Sequence, residues 1–210
     1  VEPRGLPAAL LASLGSAASE PAHDVPVAPL AALGAGVDPH ASFVLAAEPV
    51  HLVAGREDVA VAGRVDDLSA ADARTLVDAL NRHFAEDGIA FVAPRPDTWF
   101  VTTNARPDLV TVPLDTVLGS MMSPHLPTGG AARLWQRWST EIQMLLHAHP
   151  VNQARARLGL PPCNGVWFWG GGQLADVGLA APFRVHAATG RSADLVRGLV
   201  AAARSWPPTG

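Results

Sequence analysis

The run Gly165-Val166-Trp167-Phe168-Trp169 is continuously apolar, is led in by Pro161-Pro162 and runs out into Gly170-Gly171-Gly172. The two prolines impose an extended approach and forbid a helix there. A run this short and this apolar is expected to be a strand covered on both faces, as in a parallel sheet. Covering both faces takes helices on either side, so the segment commits the chain to an α/β architecture.

The flanking patterns supply those helices. Upstream, Leu134, Trp138, Ile142, Leu145 and His149 recur at helical spacing, with Trp135 and Leu146 widening the apolar face. Pro150 ends or kinks that helix, and Val151 to Leu158 is expected to continue as a shorter one capped by Gly159. Downstream, Phe183 to Ala187 reads as a strand, and Ser192 as the cap of a last helix carrying Leu195, Val196, Leu199, Val200 and Ala203. The C-terminal part is therefore expected to be β-loop-β-α of parallel-sheet type.

The first half reads differently. Ser42 to Ala46, Val50 to Val53 and Val59 to Ala62 predict an antiparallel meander. Ser69 caps a helix whose stripe is Ala73, Leu76, Val77, Leu80 and Phe84, ended by Gly88. Ile89 to Val92 and Trp99 to Thr102 predict two strands joined through Pro94-Arg95-Pro96-Asp97, and Pro113 opens a short helix to Leu118. Residues 6–14 carry a helical stripe, and Val25-Pro26-Val27-Ala28-Pro29 favours extended backbone, with one turn from Ala28 to Leu33. The expected division is residues 1–39, an N-terminal helix and Pro/Ala-rich segment; 40–130, an antiparallel α+β lobe; and 131–210, hinge helices with the β-loop-β-α unit.

Composition narrows the function. A chain of 210 residues buries roughly 65–70% of its unfolded surface without a metal or disulfide staple. No apolar run reaches the ~18 residues of a membrane span, and the N-terminal segment lacks a signal pattern, so a cytoplasmic setting is expected. The single cysteine, Cys163, excludes an internal disulfide. The net charge of −4, with every basic residue an arginine and no basic block, argues against nucleic acid as a partner.

Several residues invite chemical readings. His147 and His149 are two apart on a helix and point about 200° from one another, so they do not chelate together. Glu48 and His51 lie three apart on a strand, on opposite faces. Gly170 to Ala175 nominally fits a G-x-G-x-x-A phosphate loop, but Asp176, Gly178 and Pro182 interrupt the helix that must hold the phosphate. Trp135, Trp138, Trp167 and Trp169 read as core aromatics whose indole N–H groups need acceptors. Cys163 has no His partner in sequence to activate it.

The segment His149-Pro150-Val151-Asn152, Arg155, Gly159, Asn164 and Trp167 to Gly172 resembles, in order and spacing, the hinge of the archaeal-type, cofactor-independent phosphoglycerate mutases of the alkaline phosphatase superfamily. Asp194, Leu195 and Gly198 within Thr189 to Leu199 are similar to the helix that comes after it there. Most of the chain also resembles a bacterial group described as phosphoglycerate mutase-like or as RpfE-type regulatory proteins, through phrases at 48–52, 84–89 and 141–146. The resemblance implies a partial phosphatase-like parallel sheet joined to the antiparallel lobe. In such mutases an Asp-rich loop, a Ser or Thr nucleophile and Asp-His and His ligands surround two divalent metals, and those motifs are not visible here. Two expectations stand: a degenerate, non-catalytic binding or regulatory protein, with a homodimer through apolar helices as partner and no cofactor, or a divalent-metal phosphomutase or phosphatase whose metal site lies outside this chain. Asn152, Arg155, Asn164 and Gly170 are the candidate site. An Arg and two amides beside a strand end suit a small oxyanion; otherwise they tie the turn to the sheet.

Overall fold

One twelve-residue strand, β1 (Phe43–Ala54), organises the fold, because it exchanges hydrogen bonds with three others. The computed structural model describes residues 25–40, 42–56 and 58–177, with Arg197, Gly198 and Ala201. In chain order the elements are α1 (Val27–Gly34), β1, β2 (Val59–Arg64), α2 (Ala70–His83), β3 (Ile89–Arg95), β4 (Thr98–Thr103), α3 (Leu114–Val117), α4 (Ala132–Ala148), α5 (Pro150–Arg157) and β5 (Gly165–Gly172). Every described strand pairing is antiparallel. On one side of β1, its first half meets β4, from Phe43 opposite Thr103 to Ala46 opposite Phe100, and its last half meets β2. Its other side pairs with β5, from Val44 opposite Gly172 to Val50 opposite Gly165.

Pro49 explains why one strand appears where the sequence predicts two. Within a sheet, proline is tolerated where no ladder bond needs its missing N–H. Pro49 sits past the end of β4 and before the start of β2, and its carbonyl still accepts the Val65 N–H at 3.0 Å. A similar correction applies to α1. Val27–Gly34 is a helix with Pro26 as N-cap and Pro29 in its first turn, where the N–H groups have no intrahelical partner to lose.

Alternation along the strands sorts the core onto two faces. Phe43, Leu45, Ala47, Val101, Val166 and Phe168 face α2 and α4, meeting Leu76, Leu80, Trp135, Trp138 and Ile142. Val44, Ala46 and Phe100 face α1 through Ala28 and Ala32, and Val50, Leu52, Val61 and Trp167 face α3 through Leu114 and Val117. The strand predicted from its apolar run is thus covered on both faces, but it reaches that state as an antiparallel neighbour of β1 and not through a parallel partner. Two-sided burial dictates apolar residues at every position; it does not dictate strand direction. The strand expected at 183–187 and the helix expected at 6–14 lie outside the described residues. Of the last expected helix, Arg197, Gly198 and Ala201 are described and helical.

Helix α2 starts where its cap predicts: the Ser69 hydroxyl accepts the Asp72 N–H at 3.0 Å. Helix α4 is rotated from its expected stripe. Trp135, Trp138, Ile142 and Leu146 are buried, whereas Leu134 is exposed, since a seven-residue face allows either edge to turn inward.

Candidate functional site

Three of the four candidate residues cluster at the joint between α4, α5 and β5. Pro150 ends α4 and starts α5 at once, His149 serving as the cap of both. Asn152, in the first turn of α5, is buried. Its Nδ2 donates to the Leu146 and Cys163 carbonyls, both at 2.7 Å, and its Oδ1 accepts the Cys163 N–H at 2.8 Å. Asn164 repeats the device on β1: its Oδ1 accepts the Leu52 N–H at 2.7 Å and its Nδ2 donates to the Leu52 carbonyl at 2.8 Å. This carries the β1–β5 pairing past the end of β5. His51 adds a third tie, its Nδ1 donating to the Pro162 carbonyl at 3.0 Å.

Arg155 is 5% exposed. Its Nε donates to the Pro161 carbonyl at 3.0 Å, and its Nη2 is bonded to the Asp67 carboxylate, which lies between β2 and α2. Gly170 is set apart on β5. It has φ of +67°, donates its N–H to the Thr111 hydroxyl at 3.2 Å, and a Cβ there would lie 2.5 Å from Val27 Cγ2. Gly171 faces the Phe43 ring at similarly close range, and Gly172 abuts Pro26. The glycine run therefore lets the start of α1 and the Phe43 ring lie on β5. Beyond β5 the chain makes a single 3₁₀ turn, Leu174–Asp176, and not the helix that a phosphate loop requires.

The geometry thus unites Asn152, Arg155 and Asn164 and leaves Gly170 elsewhere. All three side chains direct their hydrogen bonds to the protein's own backbone or to Asp67. Cys163 lies among them, and burial pushes its thiol up to about 12, against a smaller opposing effect of the Arg155 charge. A thiol so protonated is not a nucleophile.

A second polar group, on the other face, has no signature in the sequence. Glu48 is 7% exposed, between the apolar clusters of α1 and α3. Its Oε1 accepts the Trp169 indole N–H at 2.7 Å, and its Oε2 the Arg64 Nε at 2.9 Å; Arg64 Nη1 reaches Asp115 at 2.8 Å. Burial works against the Arg64 charge, but Glu48 and then Asp115 outweigh it and hold the guanidinium above its ordinary value. A β-bulge hides this pairing in the sequence. Counting back from Ala54 opposite Val59 places Gly63 across from Val50, with Arg64 on the wrong face. The register shift between His51 and Leu52 brings Arg64 opposite Val50 instead, diagonal to Glu48 and on its face.

Among the described residues no group of three or more His, Cys, Asp or Glu is placed to hold a metal ion. These residues therefore do not fit a two-metal phosphoryl-transfer centre, which needs several convergent ligands for each ion. No helix among them is long and apolar enough to cross a membrane.

No protein-family model matches the chain. It is similar to the 2,3-bisphosphoglycerate-independent phosphoglycerate mutase of Methanothrix thermoacetophila, 38% identical over 65 residues, which are 31% of this chain and 17% of that protein. The probable mutase of Geobacter sulfurreducens is 29% identical over 138 residues, 63% of this chain and 34% of its own length. That of Methanosarcina barkeri is 26% identical over 149 residues, 65% and 36% of the two chains. The chain thus spans about a third or less of these relatives. Among solved structures, the cofactor-independent phosphoglycerate mutase from Thermoplasma acidophilum matches with a TM-score of 0.55 at 16% identity, covering 74% of this chain and 44% of that one. The PH0037 protein from Pyrococcus horikoshii matches with a TM-score of 0.52 at 18% identity, over 96% and 46%. The mixed α/β class expected from the sequence is what the structure has, although its described strands form an antiparallel sheet and not the parallel one expected, and in both sequence and fold the chain is related to the cofactor-independent phosphoglycerate mutases over the part of them that it spans.

Proposed function

We propose that this chain is a degenerate, non-catalytic relative of phosphoglycerate mutase that serves as a binding or regulatory protein. One observation carries the reading: Asn152, Arg155 and Asn164, the polar side chains of the resemblance, bind Leu146, Cys163, Pro161, Leu52 and Asp67 of the chain itself. What the chain shares with the mutases at these positions is a structural joint, which persists without the chemistry. The nearby thiol is held protonated by burial. Self-association through the exposed side of α4, where Met144 and Leu134 stand out, belongs to the same proposal, as does a cytoplasmic setting for its one free thiol. Anion binding at the joint is the weaker arm, since Arg155 would have to release Asp67 to a ligand.

The second reading, a metal-dependent phosphomutase or phosphatase with its metal ligands outside the described residues, is favoured by the names of the relatives. Metal analysis of the purified 210-residue chain, paired with assays of phosphomonoester hydrolysis and of 2- and 3-phosphoglycerate interconversion, separates the two. The non-catalytic reading expects neither stoichiometric metal nor turnover. Stoichiometric Mn, Zn or Mg together with turnover overturns it.

A further inference from the structure

His149 closes α4 and opens α5 with extended backbone, φ −71° and ψ 136°. Its N–H donates to the Leu146 carbonyl at 3.1 Å, and its ring Nδ1 accepts the Val151 N–H at 3.3 Å. An imidazole nitrogen accepts only while it carries no proton, so this cap requires the neutral ring. Protonation turns the same nitrogen into a donor and places a positive charge at the positive end of α5. The surroundings do not compensate. Burial, followed by the positive charge of Arg82 on α2, holds the ring below its ordinary value of 6.5. The acid of α4 is already engaged: Glu141 meets His83 and Arg137, each at 3.2 Å. Among the described residues no carboxylate pairs with the His149 ring.

The capped turn also carries Asn152, three residues on, whose amide bridges the end of α4 to Cys163 ahead of β5. We propose that His149 is a proton-operated cap: taking up a proton removes the acceptor at the start of α5 and loosens the clamp that Asn152 makes between α4 and the lead into β5. The lowered ring value sets the direction. The folded chain binds fewer protons at this site than the unfolded one, so its contribution is present above the ordinary 6.5 and is lost as pH falls through the folded value.

The test uses the full chain and hydrogen exchange read by mass spectrometry, corrected for the intrinsic pH dependence of exchange. Between about pH 7.5 and about pH 5.5, opening of residues 150–157 should rise about five-fold, the equivalent of one lost N-cap. The His149→Asn variant keeps an acceptor that does not titrate, and its profile over the same segment should be flat. An NMR titration of the wild-type ring, assigned by its loss in that variant, should give a midpoint below 6.5, with the Val151 amide moving in step. Equal rises in both proteins, or a ring titrating at or above 6.5, overturn the proposal. Should His149→Asn not fold, the wild-type ring titration and the Val151 amide decide it alone.

Discussion

Three asparagines solve one problem in one way. Asn152 faces the N–H and C=O of Cys163, Asn164 those of Leu52, and Asn81 those of Phe91, at 2.7 to 2.9 Å. A primary amide offers a donor and an acceptor with the spacing of a peptide unit, so each side chain stands in for a neighbouring strand where the backbone has none. Asn81 does this on β3, whose paired edge faces β4. Asn152 is the most consequential, since it is buried and also holds Leu146. Asn152→Ala would leave one N–H and two carbonyls without it, and chemical denaturation should show a loss of about 2–4 kcal/mol. Asn152→Asp, of nearly the same shape, should be no milder, because a carboxylate keeps the acceptor for Cys163 but faces two carbonyl oxygens where the amide donated. A well-tolerated aspartate would show that the donors matter little. The sequence singled out Asn152 and Asn164, but it could not tell a backbone mimic from an anion ligand. Both uses ask for an amide beside a strand end, and only the partners distinguish them.

Among the elements, β1 and β2 carry the charged pair that divides the second face. Arg64 has one partner inside, Glu48, and one at the surface, Asp115, whose side chain is 65% exposed against 9% for Glu48. The two bonds have similar lengths and unequal worth. A surface ion pair contributes about 0–1 kcal/mol, whereas removing one member of a buried pair costs about 3–5 kcal/mol. Asp115→Ala should therefore shift the urea midpoint little, and Arg64→Met should shift it several times further, by taking the guanidinium from Glu48. Comparable shifts would mean that water reaches Glu48 and screens it. Helix α2, strands β2 to β5 and the end of α4 at Pro150 were legible because caps, short apolar or alternating runs and proline act locally. The Glu48–Arg64 pair was not, since the extra residue of the bulge, Ala62, leaves no mark in the β1–β2 pattern yet moves every later side chain to the other face. The α1 boundary was missed for a related reason: Pro26 and Pro29 read as extended until the helix start is placed between them.

At the scale of the molecule, β5 pairs along β1 from Val44 to Val50, across the division expected near residue 130. The apolar run at 165–169 made the strand legible, but its partner lies more than a hundred residues earlier, and no local pattern names a partner at that distance. The pairing has a mechanical consequence. β1 is the one described strand bonded to β2, β4 and β5, so weakening either end of it is felt across the sheet. Asn164→Ala removes both bonds to Leu52 at the far end of β1 from β4, and should cost about 1–3 kcal/mol. If the described sheet unfolds as one unit, hydrogen exchange in β4 should quicken by the same free energy as exchange in β5, and tryptophan fluorescence and far-ultraviolet circular dichroism should share one lowered midpoint. If β5 and the hinge helices instead formed a separately unfolding unit, β4 would keep its wild-type protection while β5 lost its own. That outcome would place a boundary between unfolding units at the hinge and make the β1–β5 pairing a docking contact.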